Sequence, residues 1–419
     1  MAKYPSRSIN LSPDTSARRR FLQGAAALGI TGGLAGKAMN ALAASASTTL
    51  QFDNGTRELV AFPQKRPMIV LTTRPPQLET PFAVFNENIV TPNDAFFVRY
   101  HLGNIPTSVD PATYRIKVGG KVKTPLELSL AELKKIADPI DIIAVNQCSG
   151  NSRGFFSPRA NGGQLANGAM GNARWTGIPL KKILEKAGVE AGAVQVTFDG
   201  LDGPPLPVTP DFVKSLYIDH AMDGEVMVAF AMNGEDLPML NGYPVRLIVP
   251  GFYGTYWVKH LTDIQVIDQV FNGFWMNPAY RIPDNACNCV DPGTAPGKTT
   301  PINRFNVRSF ITSVQDGAKV VAGREMAVRG IAFDGGLGIR EVAISTDGGK
   351  TWRETQLGKD LGRYSFREWT TAFTPPAKGA YELKCRAVNR LGQSQPMEAL
   401  WNPAGYMRNV VETVRVTAA

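Results

Sequence analysis

The chain has 419 residues, of which 43% are hydrophobic and 19% charged, a composition ordinary for globular proteins and a length that allows two or three domains. Its net charge of +9 arises mainly near the start: residues 1–43 hold six Lys and Arg residues and one acid, which leaves 39 basic and 35 acidic residues in the rest. No run rich in Lys and Arg follows, so we expect no binding to nucleic acid. A mildly basic surface still suits a small anion.

Residues 1–43 are typical of an export signal. A polar, basic stretch leads to RRRFLQ at 18–23, then to an apolar run diluted by glycine, then to a small-residue cleavage pattern at 41–43. The apolar run is shorter than the roughly 20 residues that a membrane span needs. The segment resembles a twin-arginine signal, which exports folded proteins, often with a cofactor already inserted; an uncleaved amphipathic anchor is the alternative. We predict a periplasmic protein without a stable membrane span.

The chain contains four cysteines, whose positions do not favour two simple disulfides. Cys287 and Cys289 bracket a single residue, so a bridge between them would be strained, although it is not impossible. Cys385 alternates with polar residues as an inward-facing strand residue does, which predicts a buried thiol. No C-x-x-C-H motif occurs, so we expect no c-type haem on this chain.

Residues 44–95 are rich in proline and small polar residues toward their start, and we predict an irregular segment that wraps over the domain that follows. Residues 96–290 then alternate short strand signals with few helices. The predicted strands lie at 114–118, 140–145, 226–232 and 245–249, and the predicted helices at 130–136 and 179–187. Ser129 and Glu132 form a capping box before the first helix.

A stretch rich in Pro, Gly and Thr at 291–301 predicts a linker. Beyond it, at 302–419, the pattern is all-β: residues 339–345 alternate, a turn follows at 347–349, and Trp352 lies on the return strand. These signals predict an immunoglobulin-like β-sandwich, a module that usually packs or dimerises rather than reacts. The predicted fold class of the chain is therefore α+β, mostly β.

Residues 146–154, NQCSGNSRG, directly follow the buried strand that ends at Val145. A cysteine at a strand end, with glycine nearby and Arg153 five residues on, can present a thiolate into a cavity beside a cation, which suits a soft, high-valent metal. A thiol nucleophile would need an adjacent base, and spacing places none of the three histidines beside Cys148. A structural cysteine is the remaining alternative, and residue type alone favours it.

Two further segments carry positive charge near strand ends. In FFVRYH at 96–101, Arg99 and His101 point to the same face if the segment is extended, and together they favour an anion site. In 233–259, prolines and glycines flank an apolar strand that carries Arg246, and Lys259 follows one loop later, an arrangement that could hold a phosphorylated cofactor. No G-x-G-x-x-G motif or P-loop precedes a helix, which argues against nucleotide sites of those types.

These three segments, in this order, resemble the sulfite oxidase family over roughly residues 80–415. The resemblance implies that Cys148 ligates molybdenum, which is otherwise held by the dithiolene of a single pyranopterin. The implied cofactor-binding residues are Phe97, Arg99, His101, Cys148, Asp202, Arg246, Val258 and Lys259. The implied residues of the substrate pocket are Arg99 and Arg153 for the oxyanion, Trp175 as an aromatic wall, Tyr280 beside the metal, and His101.

The resemblance also implies an activity, the two-electron oxidation of sulfite to sulfate, with electrons passed to an external c-type cytochrome. A homodimer through the β-sandwich is implied as well. Within the same scaffold, a sulfane dehydrogenase or a reductase of oxyanions or sulfoxides is the alternative, since a fold does not fix a substrate. Outside it, the alternative is a non-enzymatic exported binding protein with a structural Cys148.

The sequence departs from the family pattern in two places. Eukaryotic relatives have a histidine where this chain has Asn241, which puts one phosphate contact in doubt. The vertebrate W-N-L-R-G is WNPAG at 401–405 here, so a pocket arginine is missing at Ala404, and Arg408 is the candidate to replace it. We also expect no haem-binding domain in this chain, so that electrons leave to a separate protein.

Overall fold

The computed structural model describes residues 47–49, 56–60 and 62–419, and the predicted export signal at 1–43 lies outside them. Strands dominate the described part, and its few α-helices are short, so the predicted α+β, mostly β fold class is confirmed. None of the described helices is long and apolar enough to cross a membrane.

The first sheet is built almost wholly from the segment that we predicted to be irregular. It contains five antiparallel strands in sequential order: β1 (Ser47–Thr49), β2 (Thr56–Val60), β3 (Met68–Thr73), β4 (Pro76–Glu79) and β5 (Val98–Arg99). The prediction was wrong for these residues because Pro75 and Pro76 lie at the turn and at the first residue of β4, where a strand tolerates proline. Pairing of Gln77 with Arg99 lets this segment position the first cluster of charged residues.

Two further sheets form the central part of the molecule. Their strands are β6 (Ile116–Gly120), β7 (Leu126–Leu128), β8 (Ile140–Gln147), β9 (Met170–Pro179), β10 (Gln195–Gly200), β11 (Lys214–Tyr217), β12 (Met227–Met232), β13 (Glu235–Asp236), β14 (Arg246–Ile248) and β15 (Leu261–Ile267). One sheet has the order β11-β10-β15-β6-β7, and the other β13-β12-β9-β8, with β14 also paired to β12. The strands predicted around 114–118, 140–145, 226–232 and 245–249 are all present, within a few residues.

Three short helices lie among these strands: α1 (Leu130–Leu133), α2 (Leu180–Ala187) and α3 (Ile218–Ala221). The capping box before α1 is present, with Ser129 and Glu132 bonded to each other's backbone. α1 ends three residues earlier than we predicted. After Leu133 the backbone N–H groups of Lys135 and Ile136 bond three residues back, to the carbonyls of Glu132 and Leu133, so the chain continues in turns. Pro139 then disfavours the helical conformation at the residue before it, and β8 follows.

A small antiparallel pair, β16 (Arg281–Pro283) and β17 (Thr299–Pro301), precedes the C-terminal part of the chain. Between these strands, Cys287 and Cys289 form a disulfide. We had judged such a bridge strained, although possible. Asn288 adopts a left-handed backbone with φ of 51°, which asparagine tolerates, and this lets the chain turn back so that the two Cα atoms lie 5.1 Å apart.

The predicted β-sandwich is confirmed. Its strands are β18 (Arg308–Ile311), β19 (Ala318–Val320), β20 (Met326–Phe333), β21 (Ile339–Ser345), β22 (Arg353–Glu354), β23 (Gln356–Leu357), β24 (Arg367–Phe373), β25 (Gly379–Asn389) and β26 (Thr413–Ala418). They form two sheets, β18-β20-β24-β23 and β19-β26-β25-β21-β22. Trp369 and Cys385 are fully buried between the sheets, and Cys385 is a free thiol, as predicted.

The sandwich also braces the loop that follows β8. Arg308 is fully buried and donates to the hydroxyl of Ser152 at 2.9 Å and to the carboxylate of Glu412 at 3.1 Å. The backbone N–H of Val145 donates to the carbonyl of Tyr364 at 2.9 Å. The end of β8 and the residues after it are therefore anchored to the C-terminal sandwich.

We expect Trp369→Ala to reduce the free energy of unfolding by about 3–5 kcal/mol, because it empties the centre of the sandwich. The change should appear as a lower urea midpoint. Trp352→Ala is the matched control, since that ring is only partly buried beneath Arg386 and should cost much less. Equal losses for the two variants would contradict the assignment of Trp369 to the core.

Candidate functional site

One cavity is lined by most of the predicted site residues; it and the open solvent at its mouth contain about 600 Å³ of space free of protein atoms. The predicted residues that line it are Phe97, Arg99, His101, Cys148, Asp202, Arg246, Lys259 and Tyr280. They come from strand ends and loops far apart in sequence, so only the fold brings them together. The cavity wall therefore holds one thiol, three cationic side chains, one carboxyl group and a histidine–tyrosine pair.

Cys148 lies directly after β8 and is a free, largely buried thiol. Its backbone N–H donates to the carbonyl of Ala169 at 2.9 Å, and its carbonyl accepts from the N–H of Asn151 at 3.0 Å. Ser152 then takes a left-handed conformation with φ of 70°, which completes the reversal of the chain. These two hydrogen bonds and the turn at Ser152 thus keep the thiol in the cavity wall.

His101 forms the centre of an aromatic cluster beside the cavity. Its ring stacks on Phe212 at 3.8 Å between centroids and meets Trp275 edge-on at 5.1 Å, and its Nε2 is hydrogen-bonded to the hydroxyl of Tyr280. Burial, reinforced by Arg99 and two lysines, holds the pKa of His101 well below its usual range. The imidazole is therefore uncharged at neutral pH.

Tyr280 completes this pair from a strained backbone position, with φ of 58°. Its ring stacks on Tyr406 at 5.3 Å and an interplanar angle of 10°. Burial raises the pKa of the Tyr280 hydroxyl above its usual value, so the hydroxyl keeps its proton. Tyr280 is thus a neutral hydrogen-bond donor at the edge of a cationic cavity.

Arg246 and Lys259 supply positive charge on another wall. Arg246 is buried on β14 and donates to the carbonyls of Asn241 at 2.9 Å and Trp257 at 3.2 Å, which leaves its Nε without a protein partner. Lys259 donates to the carbonyl of Arg99 at 2.7 Å. Burial lowers the pKa of both groups, with Arg246 adding to the shift of Lys259. An anion in the cavity would relieve this cost.

Asn241 lines the cavity, but its amide is already engaged by the protein. The Oδ1 atom accepts from Lys65 at 2.5 Å, and the Nδ2 atom donates to the carbonyl of Phe97 at 3.0 Å. Lys65 also donates to the carbonyls of Asn93 at 2.6 Å and Phe96 at 2.9 Å. In place of a phosphate contact, Asn241 therefore links the N-terminal segment to the cavity wall. Sequence reasoning missed Lys65, because nothing near it in sequence indicates a site.

Arg153 is close to the cavity without lining it. Its guanidinium donates to the carbonyls of Ala404 at 2.8 Å and Gly163 at 3.1 Å, and lies 5.0 Å from the ring of Tyr406. A Cβ at Gly150 would lie 2.7 Å from this guanidinium, so the absence of a side chain there permits the close approach. Arg153 thus meets the pocket through Tyr406, which stacks on Tyr280.

Arg408 does not take the place of the missing pocket arginine. It pairs with Glu412 at 2.5 Å and faces the ring of Phe155 at 5.1 Å. At the position of the missing arginine, the side chain of Ala404 contributes nothing polar, and its carbonyl instead holds Arg153. This chain therefore brings Arg99 into the cavity and Arg153 to its edge.

Besides Arg153, two predicted site residues lie outside the cavity wall. Trp175 is fully buried behind Phe96, donates from its indole to the carbonyl of Ala144 at 3.1 Å, and supports Arg246 with its ring face at 5.1 Å. The prediction of an aromatic pocket wall at Trp175 is corrected, because β9 directs this ring into the core. Val258 is also buried, and its N–H and carbonyl are both bonded within the protein.

Several polar atoms in the cavity wall have no protein partner. They are Asn146 Oδ1, Ser149 Oγ, Thr255 Oγ1 and Arg246 Nε. Asn146 and Ser149 flank Cys148 closely, and this proximity was the sequence signal that could have identified them. Buried polar groups normally have partners, so these atoms indicate a polar ligand. In the described part of the chain, no three His, Cys, Asp or Glu side chains come together. A metal bound to Cys148 would therefore take its other ligands from the polar ligand itself.

Comparisons with known proteins define the class. A family model for the oxidoreductase molybdopterin binding domain matches residues 102–275, and one for the Mo-co oxidoreductase dimerisation domain matches 299–419. Sulfite oxidase of Gallus gallus is 33% identical over 362 residues, which cover 82% of this chain and 77% of that protein. Mitochondrial sulfite oxidase of Rattus norvegicus is 32% identical, covering 84% of this chain and 66% of that protein.

A solved structure has the same fold. The sulfane dehydrogenase SoxCD from Paracoccus pantotrophus superposes with a TM-score of 0.71 at 22% identity, covering 97% of this chain and 92% of that one. At this identity the likeness concerns the fold alone. The fold and the cavity define a molybdopterin-binding oxidoreductase. The chain belongs to the sulfite oxidase family.

The cavity residues fit the molybdenum–pyranopterin cofactor of that family. A single soft thiol at Cys148 suits a metal that receives its remaining ligands from a dithiolene. Arg246 and Lys259, together with the unpartnered Asn146 and Thr255, suit a phosphorylated heterocycle with many hydrogen-bonding atoms. The donor set thus matches both halves of the cofactor.

We expect Arg246→Met to reduce the pterin content of the purified protein to about a tenth or less, since a hydrogen bond to a charged group contributes about 1.5–3 kcal/mol. Molybdenum analysis and fluorescence of the oxidised pterin would measure this loss. Arg415→Met, at an exposed arginine of the sandwich, is the control and should keep the full content. Full pterin content in Arg246→Met would contradict the proposed cofactor wall.

Proposed function

We propose that this protein oxidises sulfite to sulfate at a molybdenum–pyranopterin cofactor bound through Cys148. The observation that carries the proposal is the presence, in one cavity, of the free Cys148 thiol, the Arg99 guanidinium and the neutral His101–Tyr280 pair. Sulfite and water give sulfate, two protons and two electrons. When bound, the cofactor supplies a metal that accepts two electrons and exchanges an oxygen atom.

The protein's own residues bind and orient the substrate anion. Arg99 presents its charge directly in the cavity, and Arg153 adds a second positive charge at the edge behind Tyr406. Charge-assisted hydrogen bonds of this kind hold an oxyanion in one orientation. Tyr280 donates a hydrogen bond from a hydroxyl that keeps its proton, and the neutral His101 fixes the position of that hydroxyl.

The electrons must then leave the site, and we propose an external c-type cytochrome as their acceptor. Such encounters are usually small and transient. We also propose export to the periplasm by the twin-arginine signal at 1–43, and a homodimer formed through the sandwich. The match of residues 299–419 to a dimerisation domain supports the last of these.

Cys148→Ser should abolish sulfite-dependent reduction of cytochrome c, with a loss of more than about 100-fold, since changing a residue that only contacts a metal's ligands already costs up to that much. Cys385→Ser is the matched control, because Cys385 is also a buried free thiol but lies inside the sandwich. The control should keep its activity.

The same assay separates the alternatives. Turnover of thiosulfate or of a protein-bound sulfane, without turnover of sulfite, would replace the proposal by a sulfane dehydrogenase. Reduction of nitrate or a sulfoxide by a low-potential donor would indicate a reductase. Protein that carries no molybdenum after expression with an adequate molybdate supply would remove the enzymatic proposal altogether.

Arg99→Gln should chiefly raise the KM for sulfite, by roughly 10- to 100-fold, because it removes a charge-assisted contact worth about 1.5–3 kcal/mol. Steady-state kinetics at constant ionic strength would measure the change. Arg408→Gln should leave the KM near the wild-type value, since Arg408 is paired with Glu412. A large KM increase in Arg408→Gln would show that this residue does serve the pocket.

A further inference from the structure

Lys214 is a fully buried cation that does not line the cofactor cavity. It is the first residue of β11, and its side chain is 1% exposed. Its Nζ donates to the carbonyl of Trp275 at 2.5 Å and faces the rings of Tyr256 at 4.7 Å and Tyr280 at 5.1 Å. Within the described part of the chain, no carboxylate forms an ion pair with it.

Such a placement is unfavourable for stability alone. Burying an ammonium group without a carboxylate costs several kcal/mol, and one carbonyl with two aromatic faces returns only part of that. A methionine of similar length would fill the same space without the desolvation cost. Burial lowers the pKa of Lys214 to about 7. The group therefore carries its charge below neutral pH, which is the range in which histidine titrates.

The charge of Lys214 acts on the pair that borders the cavity. Its ammonium lies against the face of Tyr280, and the ring of Trp275, whose carbonyl it binds, contacts His101 at 5.1 Å. A cation on the face of a phenol withdraws electron density from the hydroxyl and makes it a stronger donor. The same cation opposes protonation of the neighbouring imidazole.

Three cations act on His101, and they differ in where they lie. Arg99 and Lys259 line the cavity, so an anionic cofactor or substrate there offsets their field. Lys214 lies behind Tyr280, outside the cavity wall. The remaining neighbours of His101, namely Phe212, Trp275 and the Tyr280 hydroxyl, carry no charge. When the cavity holds an anion, Lys214 is the cation whose effect on His101 persists.

We propose that Lys214 is a positioning residue that, together with burial, keeps His101 uncharged and Tyr280 a strong hydrogen-bond donor while an anion occupies the cavity. Protonated His101 would add a charge next to Arg99 and compete with it for the oxyanion. The catalytic meaning of this arrangement rests on the proposed function. The electrostatic statement does not, because it can be measured without turnover.

The three histidines of the chain permit a direct test by NMR. Protein loaded with cofactor and labelled with carbon-13 at histidine Cε1 gives three resonances, which single His→Gln variants would assign. The titration would be followed from about pH 3.5 to 8, so that a midpoint below pH 5 can be measured, with and without sulfate as the anionic probe. In the wild type, the His101 resonance should keep its neutral position down to about pH 5. In Lys214→Met, its midpoint should rise by about one pH unit, more with sulfate than without.

Two variants control for structural effects. Lys214→Arg keeps the charge and should restore wild-type behaviour, whereas Lys134→Met removes an exposed lysine that also faces a ring, that of Phe230, and should change nothing. If Lys214→Met fails to fold, as judged by thermal unfolding, Lys214→Gln gives the same comparison with a polar side chain. An unchanged His101 midpoint in a folded, uncharged variant would overturn the proposal.

Kinetics provides a second and separable measurement. The acidic limb of the pH profile of kcat should move to higher pH in Lys214→Met by the same amount as the His101 midpoint, and Lys214→Arg should reverse this. A shifted midpoint in a protein that does not oxidise sulfite would contradict the proposed function and leave the electrostatic role intact. Sulfite oxidation with an unshifted His101 midpoint would contradict the electrostatic role of Lys214 and leave the proposed function intact.

Discussion

The structure depends on the burial of positive charge around one cavity with little negative charge to match it. Three cations around it are almost fully buried, namely Lys65, Lys214 and Arg246, and two more, Arg99 and Lys259, are partly buried. The carboxyl group that accompanies them, that of Asp202, has its pKa raised by burial. Like charges in a low-dielectric region repel strongly. An anionic cofactor therefore stabilises this arrangement as well as binding to it, and folding and cofactor binding are thermodynamically linked.

Backbone carbonyls, rather than carboxylates, accept the hydrogen bonds of these buried lysines. Lys65 holds the carbonyls of Asn93 and Phe96, Lys259 holds that of Arg99, and Lys214 that of Trp275. Each bond joins segments that are distant in sequence, so the cations also connect the segments that surround the cavity. Carbonyl groups stabilise the cations without neutralising them, and the positive potential that attracts an oxyanion is kept.

The sequence allowed prediction of those features that depend on local pattern or on a resemblance of motifs. The buried strand that leads to Cys148 and the sandwich with Cys385 inside it follow from alternation and turn residues. Features fixed by tertiary contacts were missed or misplaced. β3 and β4 were obscured by prolines at their turn, and Trp175, recognised as an aromatic near the site, proved to support Arg246 from the core side.

The two buried lysines also could not be predicted from the sequence. Lys65 and Lys214 lie in segments without any motif, and an isolated lysine in a sequence is normally a surface residue. Their burial becomes visible only in the folded chain, where Lys65 meets the carbonyls of Asn93 and Phe96, and Lys214 lies against Tyr280. A residue proposed to act on another residue through space leaves no local sequence signal. The turn around Cys148, the proposed metal ligand, does leave one.

The altered C-terminal segment shows how one pocket can be rebuilt with fewer arginines. Ala404 offers only its carbonyl, which fixes Arg153, and Tyr406 two residues on fills the space between Arg153 and Tyr280 with an aromatic ring. Arg153 thus faces the cavity only through the ring of Tyr406, whereas Arg99 lines the cavity directly. Arg99 is therefore the arginine that the proposed oxyanion would meet, and an uncharged His101 beside it adds no further charge.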